Sequence, residues 1–566
     1  MTAPTGVVPW LHSHLPYVLH HGRWPHGTDW LCEAALDTYL PLLALLLDRE
    51  RRGRSAPITV GVTPVLGNML AHPMFRAEVA RYLDEREAAC DEAEAAMTGT
   101  ADAPLLPVVA WWRAHLASLR ATWERLDGDI PAALRALQER GRLELTTSAA
   151  THALLPLLGR DESLTLQLAV GVAEHVRLFG ARPRGCWLPE CAWRPAGEWT
   201  PYPGAYNRGV RRGLEAHLAG AGIAYTCVDA HMARAGEPRG VYGTMFGARR
   251  EPGEGRGVHE RRTGARSGEG QRSGDGSPYR AYRIGAGVTS FVRDPVGSAM
   301  VWDRHAGYPG DPSCLEFHKQ RWPGGLRLWR VTSLDTPLDA KRPYDPVVAA
   351  DVAHRQGHDF ARALAATDTG TGSVHCLPFD TELFGHWWFE GPRFLEACFD
   401  AIADAPSLRL ETAGAHLARV GATADLVPVE GSWGRDGDFG MWMNDAVAWV
   451  WPITWELENR FWDLAPAARA RPDLAGVVEQ AARELLLLQS SDWPFIITTG
   501  AAADYASRRF HGHAYDCREL VAILERGLRG DDVTRGIDHA RDVRQRDDLF
   551  PAIGTALDAV LHPSRP

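Results

Sequence analysis

Nine short apolar runs, each closed by a polar residue, recur along the chain and constrain its fold most strongly. The runs are close to continuously apolar rather than alternating, which is typical of strands buried on both faces. Helical patterns such as 39–52 and 163–180 separate several of them, and repeated strand–helix–strand units predict a parallel β/α barrel. The runs lie at 7–14, 58–64, 143–152, 185–190, 223–229, 287–294, 326–333, 373–380 and 408–414.

Two long helical stretches interrupt or follow this pattern. Residues 70–140 lie between the second and third runs and are too long for a simple crossover, so they predict an inserted helical subdomain. The sequence is helical again over 411–566, which predicts a C-terminal helical domain. The catalytic barrel is then expected from 1–69 and 141–410.

The segment 247–278 differs from the rest of the barrel sequence. It is rich in Gly, Arg, Glu and Ser and contains no aromatic residue. Such a composition cannot bury a core, so the segment is expected to be a disordered loop. At the rim of a barrel it is either a lid or an expansion that the surface tolerates.

Charge and cysteine usage restrict the function classes. With 61 Lys and Arg against 71 Asp and Glu, the net charge of −10 argues against nucleic-acid binding through a global basic field. The 9 cysteines form no CxxC pair, which is typical of reduced thiols and predicts a cytoplasmic location. No signal peptide is expected at the N-terminus. The sequence contains no run of ~20 apolar residues, so no membrane span is expected either.

The polar residues that close the runs are candidates for chemistry, because barrel active sites lie at the carboxyl ends of strands. Glu190 in CWLPECAW and Asp380 in PFDTELFGHWW have apolar, aromatic neighbours. An apolar setting raises the pKa of a carboxyl group that serves as a general acid, whereas a more polar partner stays ionised as nucleophile. Two such groups facing each other are what glycosidic bond cleavage requires; the alternative is that each caps a helix or pairs with an arginine. The full set is His12, His14, His152, Glu190, Asp229, Asp294 and Asp380.

The His-Ser-His sequence that closes the first run has two interpretations. His12 and His14 are expected to bind sugar hydroxyls, or else to hold a divalent metal with further ligands from His152, Asp229 or His375. One buried and one surface histidine without a ligand is the ordinary alternative for such a pair.

Tryptophan is unusually common, with 21 residues against 13 Tyr and 16 Phe. It clusters at 386–394 and 433–462, and several of these rings are expected in the core. Trp433, in a loop-like context, is the better candidate for a sugar platform. Asp492 in QSSDWPF either caps a helix end or contacts a ligand.

Seven motifs in order resemble glycoside hydrolase family 57, in particular its α-1,4-glucan branching enzymes, over nearly the whole chain. The resemblance implies a (β/α)7 barrel with an inserted helical domain and a C-terminal helical domain, and a retaining mechanism without a metal or other cofactor. The motifs are HSHLPY (12–17), TSAATHALLPLL (147–158), CWLPECAW (186–193), WDRHAGYPGDP (302–312), PFDTELFGHWW (378–388), SWGRDGDFGMWMN (432–444) and LLLLQSSDWPF (485–495).

The resemblance also implies roles for particular residues. Glu190 would be the nucleophile and Asp380 the general acid/base. The expected glucan contacts are His12, His14 and His152 at the donor subsite, Trp302, Trp387, Trp433, Trp442 and Asp492 in the cleft, and Tyr242 on a loop that reaches over the site.

The expected reaction is cleavage of an α-1,4-glucan and transfer of the chain to a 6-hydroxyl, with the glucan as both donor and acceptor. An amylase-like hydrolase and a 4-α-glucanotransferase share the first half of this reaction and stay open as alternatives. A metal-dependent hydrolase built on the His-Ser-His sequence and a non-catalytic glucan-binding protein are the remaining possibilities.

Overall fold

A computed structural model describes residues 3–199, 209–236, 276–303, 306–370 and 372–562. Tyr242 and residues 247–275 of the predicted loop lie outside these ranges. The strands are β1 Thr5–Ser13, β2 Ile58–Val62, β3 Leu143–Ser148, β4 Cys186–Trp187, β5 Gly197–Trp199, β6 Gly209–Arg211, β7 Tyr225–Val228, β8 Tyr282–Gly285, β9 Val288–Val292, β10 Val374–Asp380, β11 Leu408–Leu410 and β12 Ala424–Asp425.

Seven parallel strands close into a barrel. Hydrogen-bonded pairs give the order β10-β1-β2-β3-β4, and β7 pairs in parallel with β9. Isolated parallel bridges then join the two sheets, Gly185 to Tyr225 between β4 and β7, and Arg293 to Cys376 between β9 and β10. The cyclic order β1-β2-β3-β4-β7-β9-β10 confirms the predicted (β/α)7 fold.

A single indole links much of the barrel interior. The ring of Trp10 on β1 makes edge contacts with Trp187, Tyr225 and Phe291, at centroid distances of 6.1, 5.7 and 6.2 Å. Its N–H donates to the hydroxyl of Thr146 on β3 at 3.1 Å. Because these partners come from β3, β4, β7 and β9, one side chain on the first strand contacts residues of four other strands of the barrel.

Helices surround the barrel and continue beyond it. Helices α3 to α6 lie between β2 and β3, and α13 to α18 follow the last strand, with α14 packed between α13, α16 and α17. The helices are α1 Thr28–Ala34, α2 Leu40–Arg51, α3 Pro64–Ala71, α4 Pro73–Met97, α5 Leu106–Arg125, α6 Ile130–Glu139, α7 Asp161–Phe179, α8 Leu214–Gly220, α9 Pro295–Trp302, α10 Pro346–Ala366, α11 Gly391–Asp404, α12 Ala413–Arg419, α13 Val450–Arg469, α14 Ala475–Leu488, α15 Asp492–Thr499, α16 Ala503–Arg529, α17 Thr534–Arg546 and α18 Ile553–Leu561.

The segment Thr28–Arg51, which contains α1 and α2, is long and apolar enough to cross a membrane by length and composition. In its most apolar window 61% of the residues are buried inside the protein. Its apolar side chains therefore pack in the protein core.

One predicted strand is wrong. The run 326–333 forms no strand and makes only isolated antiparallel bridges. Leu326 and Leu328 are buried, whereas Arg327 and Trp329 between them stay partly exposed. Only one side of the run is buried, and the indole N–H of Trp112 on α5 donates to the carbonyl of Arg327 at 2.6 Å. The segment therefore packs on the helices outside the barrel instead of joining its wall.

Candidate active site

The candidate residues from the barrel lie at one mouth, because each follows or ends a parallel strand. His12 lies near the end of β1, Glu190 three residues after β4, and Asp380 is the last residue of β10. In the β1–β10 ladder His12 is directly paired with Asp380. Carboxyl ends of parallel strands are where barrel enzymes place their chemistry.

Glu190 sits on a strained turn that is held by Trp433. Its backbone lies in the left-handed region, with φ 60° and ψ 24°, where non-glycine residues are uncommon. The indole N–H of Trp433 donates to Oε2 of Glu190 at 2.7 Å, and the Trp433 backbone N–H donates to the Glu190 carbonyl at 3.0 Å. Burial and the charge of Asp380 raise the pKa of Glu190 to about 8, against the effect of the Trp433 hydrogen bond.

The surroundings of Asp380 favour its protonated form. Burial raises its pKa well above the ordinary value, the charge of Glu382 adds to the effect, and Arg293 opposes it. A carboxyl group that retains its proton at neutral pH suits a general acid.

Three histidines and a tryptophan form a stack beside these carboxyls. The ring of His12 lies 4.6 Å from Trp187 and 5.1 Å from His152, which in turn lies 4.0 Å from His14. Burial and the neighbouring histidines lower the pKa of His12 and of His152 well below the ordinary value. Both ring nitrogens of His12 and Nε2 of His152 have no hydrogen-bond partner within the described ranges. Neutral imidazoles with unsatisfied nitrogens are what a site that binds hydroxyls requires.

Residues far along the chain complete this stack. Asp492, the first residue of α15, lies 3.0 Å from Nε2 of His14, and the hydroxyl of Ser491 lies 2.9 Å from Nδ1 of His152. Burial opposes ionisation of Asp492, but the charge and hydrogen bond of His14 hold its pKa below the ordinary value. Asp492 thus begins a helix and also contacts the stack.

The stack also tests the metal interpretation. Candidate ligand atoms of His14, His152 and Asp492 all lie within 4.8 Å of one another. The two imidazole planes are parallel to within 16° and their centroids are 4.0 Å apart. Imidazole lone pairs lie in the ring plane, so two stacked rings do not direct them at one ion. The geometry favours contacts with hydroxyl groups.

The four tryptophans expected in the cleft differ in their surroundings. Trp302 and Trp387 form a tilted pair with centroids 6.3 Å apart, and Trp387 keeps some exposed surface. Trp433 is buried and its indole N–H is occupied by Glu190, so it positions a carboxylate rather than offering an open face. Trp442 is completely buried and stacks on Phe495, so neither ring face is open in this structure.

The sequence reasoning missed two charged residues at the mouth. Arg293 is buried, its guanidinium lies 5.6 Å from the centre of the Trp433 ring, and its Nη1 lies 3.4 Å from Asp229. Glu382 accepts hydrogen bonds from the Tyr39 hydroxyl and from the backbone N–H of His14, and burial raises its pKa to about 7. Arg293 directly precedes Asp294 in the run 287–294, and Glu382 lies two residues after Asp380 in PFDTELFGHWW, so their proximity to candidate residues was the available signal.

Two other strand-end residues have structural partners. Asp229 caps the turn after β7 through the backbone N–H of Ala230 and faces Arg293. Asp294 caps α9 and lies 2.8 Å from Nδ1 of His375. His375 is thereby directed at a carboxylate and lies apart from the histidine stack.

Comparison with known proteins agrees with this geometry. The family model described as glycosyl hydrolase family 57 matches residues 8–310, and the model described as 1,4-alpha-glucan branching enzyme, C-terminal, matches residues 455–557. A 1,4-alpha-glucan branching enzyme of Thermococcus kodakarensis is 36% identical over 530 residues, which cover 91% of this chain and 73% of the relative.

Solved structures extend the similarity over the entire fold. A GH57-type branching enzyme from Pyrococcus horikoshii has a TM-score of 0.85 at 32% identity, covering 100% of this chain and 98% of the other. An alpha-amylase from Thermotoga maritima has a TM-score of 0.77 at 27% identity and covers 100% of both chains. The family model, the barrel and these relatives agree, and the chain belongs to glycosyl hydrolase family 57.

Proposed function

We propose that this protein is a 1,4-α-glucan branching enzyme that cleaves an α-1,4-glucan and transfers the released chain to a 6-hydroxyl group. One observation carries the proposal. The match to the C-terminal model of branching enzymes covers 455–557, and this same segment supplies Ser491 and Asp492 to the histidine stack at the barrel mouth.

The first half of the reaction uses the two carboxyl groups in different protonation states. The Glu190 carboxylate attacks the anomeric carbon and forms an ester as the glycosidic bond breaks. Asp380 gives its proton to the departing 4-oxygen. Protonated Asp380 carries no charge, which removes one of the causes that raise the pKa of Glu190. The proton on Asp380 therefore helps to keep the nucleophile ionised.

The second half reverses these roles. Asp380, now a carboxylate, takes the proton of an acceptor 6-hydroxyl, and that oxygen attacks the anomeric carbon and displaces Glu190. Two inversions give net retention, and the product is an α-1,6 branch. The neutral rings of His12 and His152 contact donor hydroxyls during both steps.

Hydrolysis is the competing outcome, because water can take the place of the acceptor hydroxyl. The similarity to an alpha-amylase of the same fold makes this the appropriate second candidate. The branching proposal is favoured by the match over 455–557 and by the branching enzymes among the relatives.

The decisive experiment is incubation with amylose, followed by enzymatic debranching and chain-length analysis. We expect new α-1,6 linkages that yield short chains after debranching, with few new reducing ends. A rise in reducing ends without chains released by debranching would establish a hydrolase and overturn the proposal.

Substitution of the nucleophile tests the site assignment. We expect Glu190→Gln to lower kcat at least about 1,000-fold while the fold persists, because the amide keeps the shape but cannot form the ester. Glu144→Gln is the matched control, since Glu144 lies near the amino end of β3, where it accepts from the Tyr225 hydroxyl. If Glu190→Gln kept the wild-type kcat, as the control should, Glu190 would not be the nucleophile.

A further inference from the structure

A cavity lies outside the barrel, between helices α2, α5, α10 and α11. Its volume is about 440 Å³, within the range of roughly 300–1,000 Å³ typical of small-molecule sites. None of the described residues assigned above to the active site lines it. The cavity is therefore a separate feature of the helical layer.

One wall of this cavity is a fixed aromatic surface. Trp111 on α5 stacks on His115, with centroids 5.1 Å apart and planes within 5°. Its edges contact Tyr344 and Phe389 at 5.9 and 5.6 Å. The indole is held in place but stays partly exposed. A rigid aromatic ring of this kind suits the apolar face of a pyranose, because little side-chain entropy is lost on binding.

The charges around the cavity favour a neutral, hydroxyl-rich ligand. Arg52 pairs with Asp48, and Arg393 pairs with Glu396 at 3.2 Å. The two other carboxyl groups that line the cavity also have partners: Asp37 pairs with Arg327, and Glu390 accepts from the Tyr344 hydroxyl. Positive and negative groups are therefore balanced at the rim. An ionic ligand would have to compete with one member of each pair. A sugar can donate to the carboxylates and accept from the guanidiniums without breaking either pair.

We propose that this cavity is an accessory binding site for a short segment of an α-glucan chain. The ligand class rests on the proposed function, whereas the site itself rests on Trp111 and the balanced rim. A chain held here stays on the enzyme surface while another part of the polymer occupies the barrel mouth. Polymeric glucans then bind more tightly than short oligosaccharides, through two contacts instead of one.

Calorimetric titration of the full-length Glu190→Gln protein with maltohexaose tests the proposal without turnover. We expect two classes of site per chain. Adding Trp111→Ala weakens one class roughly tenfold, because the sugar loses its stacking surface. Tyr515→Ala is the control, since Tyr515 is an exposed aromatic residue on α16 outside the cavity, and it should leave both classes unchanged.

A second variant tests the site without removing the Trp111 ring, whose loss can disturb α5. Ser118 is exposed and lines the cavity, so Ser118→Arg places a long side chain in it without removing a core contact. We expect the same class of site to be lost.

Two results would overturn the proposal: a single class of site, or two classes that both variants leave intact. The amylose assay shows whether the accessory site alone or the proposed function as well has failed. New α-1,6 linkages with an unaltered titration would refute the accessory site alone. An absence of both maltohexaose binding and branching would refute the proposed function with it.

Discussion

At the scale of single residues, Arg293 connects the two candidate catalytic carboxyls. Its guanidinium lies over the ring of Trp433, which binds Glu190, and its charge lowers the pKa of Asp380. We expect Arg293→Met to raise the pKa of Asp380 further, so the alkaline limb of the kcat/KM profile moves to higher pH. The variant also leaves buried Asp229 without its arginine partner, with only the Ala230 N–H and His231 beside it, at a cost of about 3 kcal/mol in unfolding free energy.

The double variant Asp229→Asn, Arg293→Met separates these two effects. It removes both charges and should recover most of the stability in urea unfolding, yet keep the shifted alkaline limb. An alkaline limb at the wild-type position in both variants would show that Arg293 is structural only.

The protonation state of Asp380 acts on Glu190, and this link can be measured. Ionised Asp380 raises the pKa of Glu190, whereas protonated Asp380 carries no charge, as Asn does. With an activated donor that needs no general acid, the acid limb of kcat/KM reports the ionisation of Glu190. We expect Asp380→Asn to leave this limb at its wild-type position. A limb that moves to lower pH in the variant would show that Asp380 is ionised in the free enzyme and does not carry the proton that a general acid needs.

At the scale of elements, the sequence predicted the barrel better than the contacts made at its mouth. Apolar runs correctly placed β1, β4 and β10, because strands buried on both faces have few polar residues and their ends are visible. The run 326–333 failed because burial on one side alone also produces an apolar run. The hydrogen bond from Trp433 to Glu190 joins residues 243 positions apart. No periodicity along one chain indicates such a contact, and the sequence alone therefore favours a sugar platform for Trp433.

A buried ion network fastens the C-terminal segment to the loop after β1. Asp547, completely buried, lies 2.7 Å from Nε2 of His21 and also pairs with Arg546. We expect Asp547→Ala to lower the free energy of unfolding by about 3 kcal/mol, because it leaves buried groups unpaired. The neighbour Asp548 is the matched control. It is partly exposed and meets His72 at 3.4 Å, so Asp548→Ala should cost less than about 1 kcal/mol.

The pH dependence of this difference has a definite sign. Burial opposes ionisation of Asp547, but the His21 hydrogen bond and nearby cations hold its pKa below the ordinary value. A carboxylate whose pKa is lowered on folding stabilises the fold at pH values above its unfolded pKa of about 3.9. This stabilisation is lost as the pH falls from there through the lower folded pKa. Urea unfolding at pH 7 and pH 3 should therefore show a smaller gap between wild type and Asp547→Ala at pH 3. An equal or larger gap at pH 3 would rule out the ionised role of Asp547.

At the scale of the whole molecule, the barrel and the helices that follow it build the candidate site together. The barrel supplies Glu190, Asp380 and the histidine rings, while the loop carrying Trp433 and the start of α15 hold them in position. A parallel β/α barrel was predictable from repeated strand and helix units, whereas its seven strands were implied only by the family resemblance. The way that α15 meets the barrel mouth was not, because it depends on helix packing between distant segments.

This joint construction predicts that loss of Asp492 lowers activity more than stability. Asp492→Ala removes the carboxylate beside His14, so the imidazole is no longer held in one orientation at the site, and we expect kcat/KM to fall roughly 10- to 100-fold. The control is Asp504→Ala, which changes an exposed carboxylate in the first turn of α16 that pairs only with exposed Arg508 among described side chains. Initial rates on amylose and thermal unfolding should be measured for both variants. If Asp492→Ala keeps wild-type kcat/KM at a temperature where it is fully folded, the helices after residue 450 support the barrel without taking part in glucan recognition.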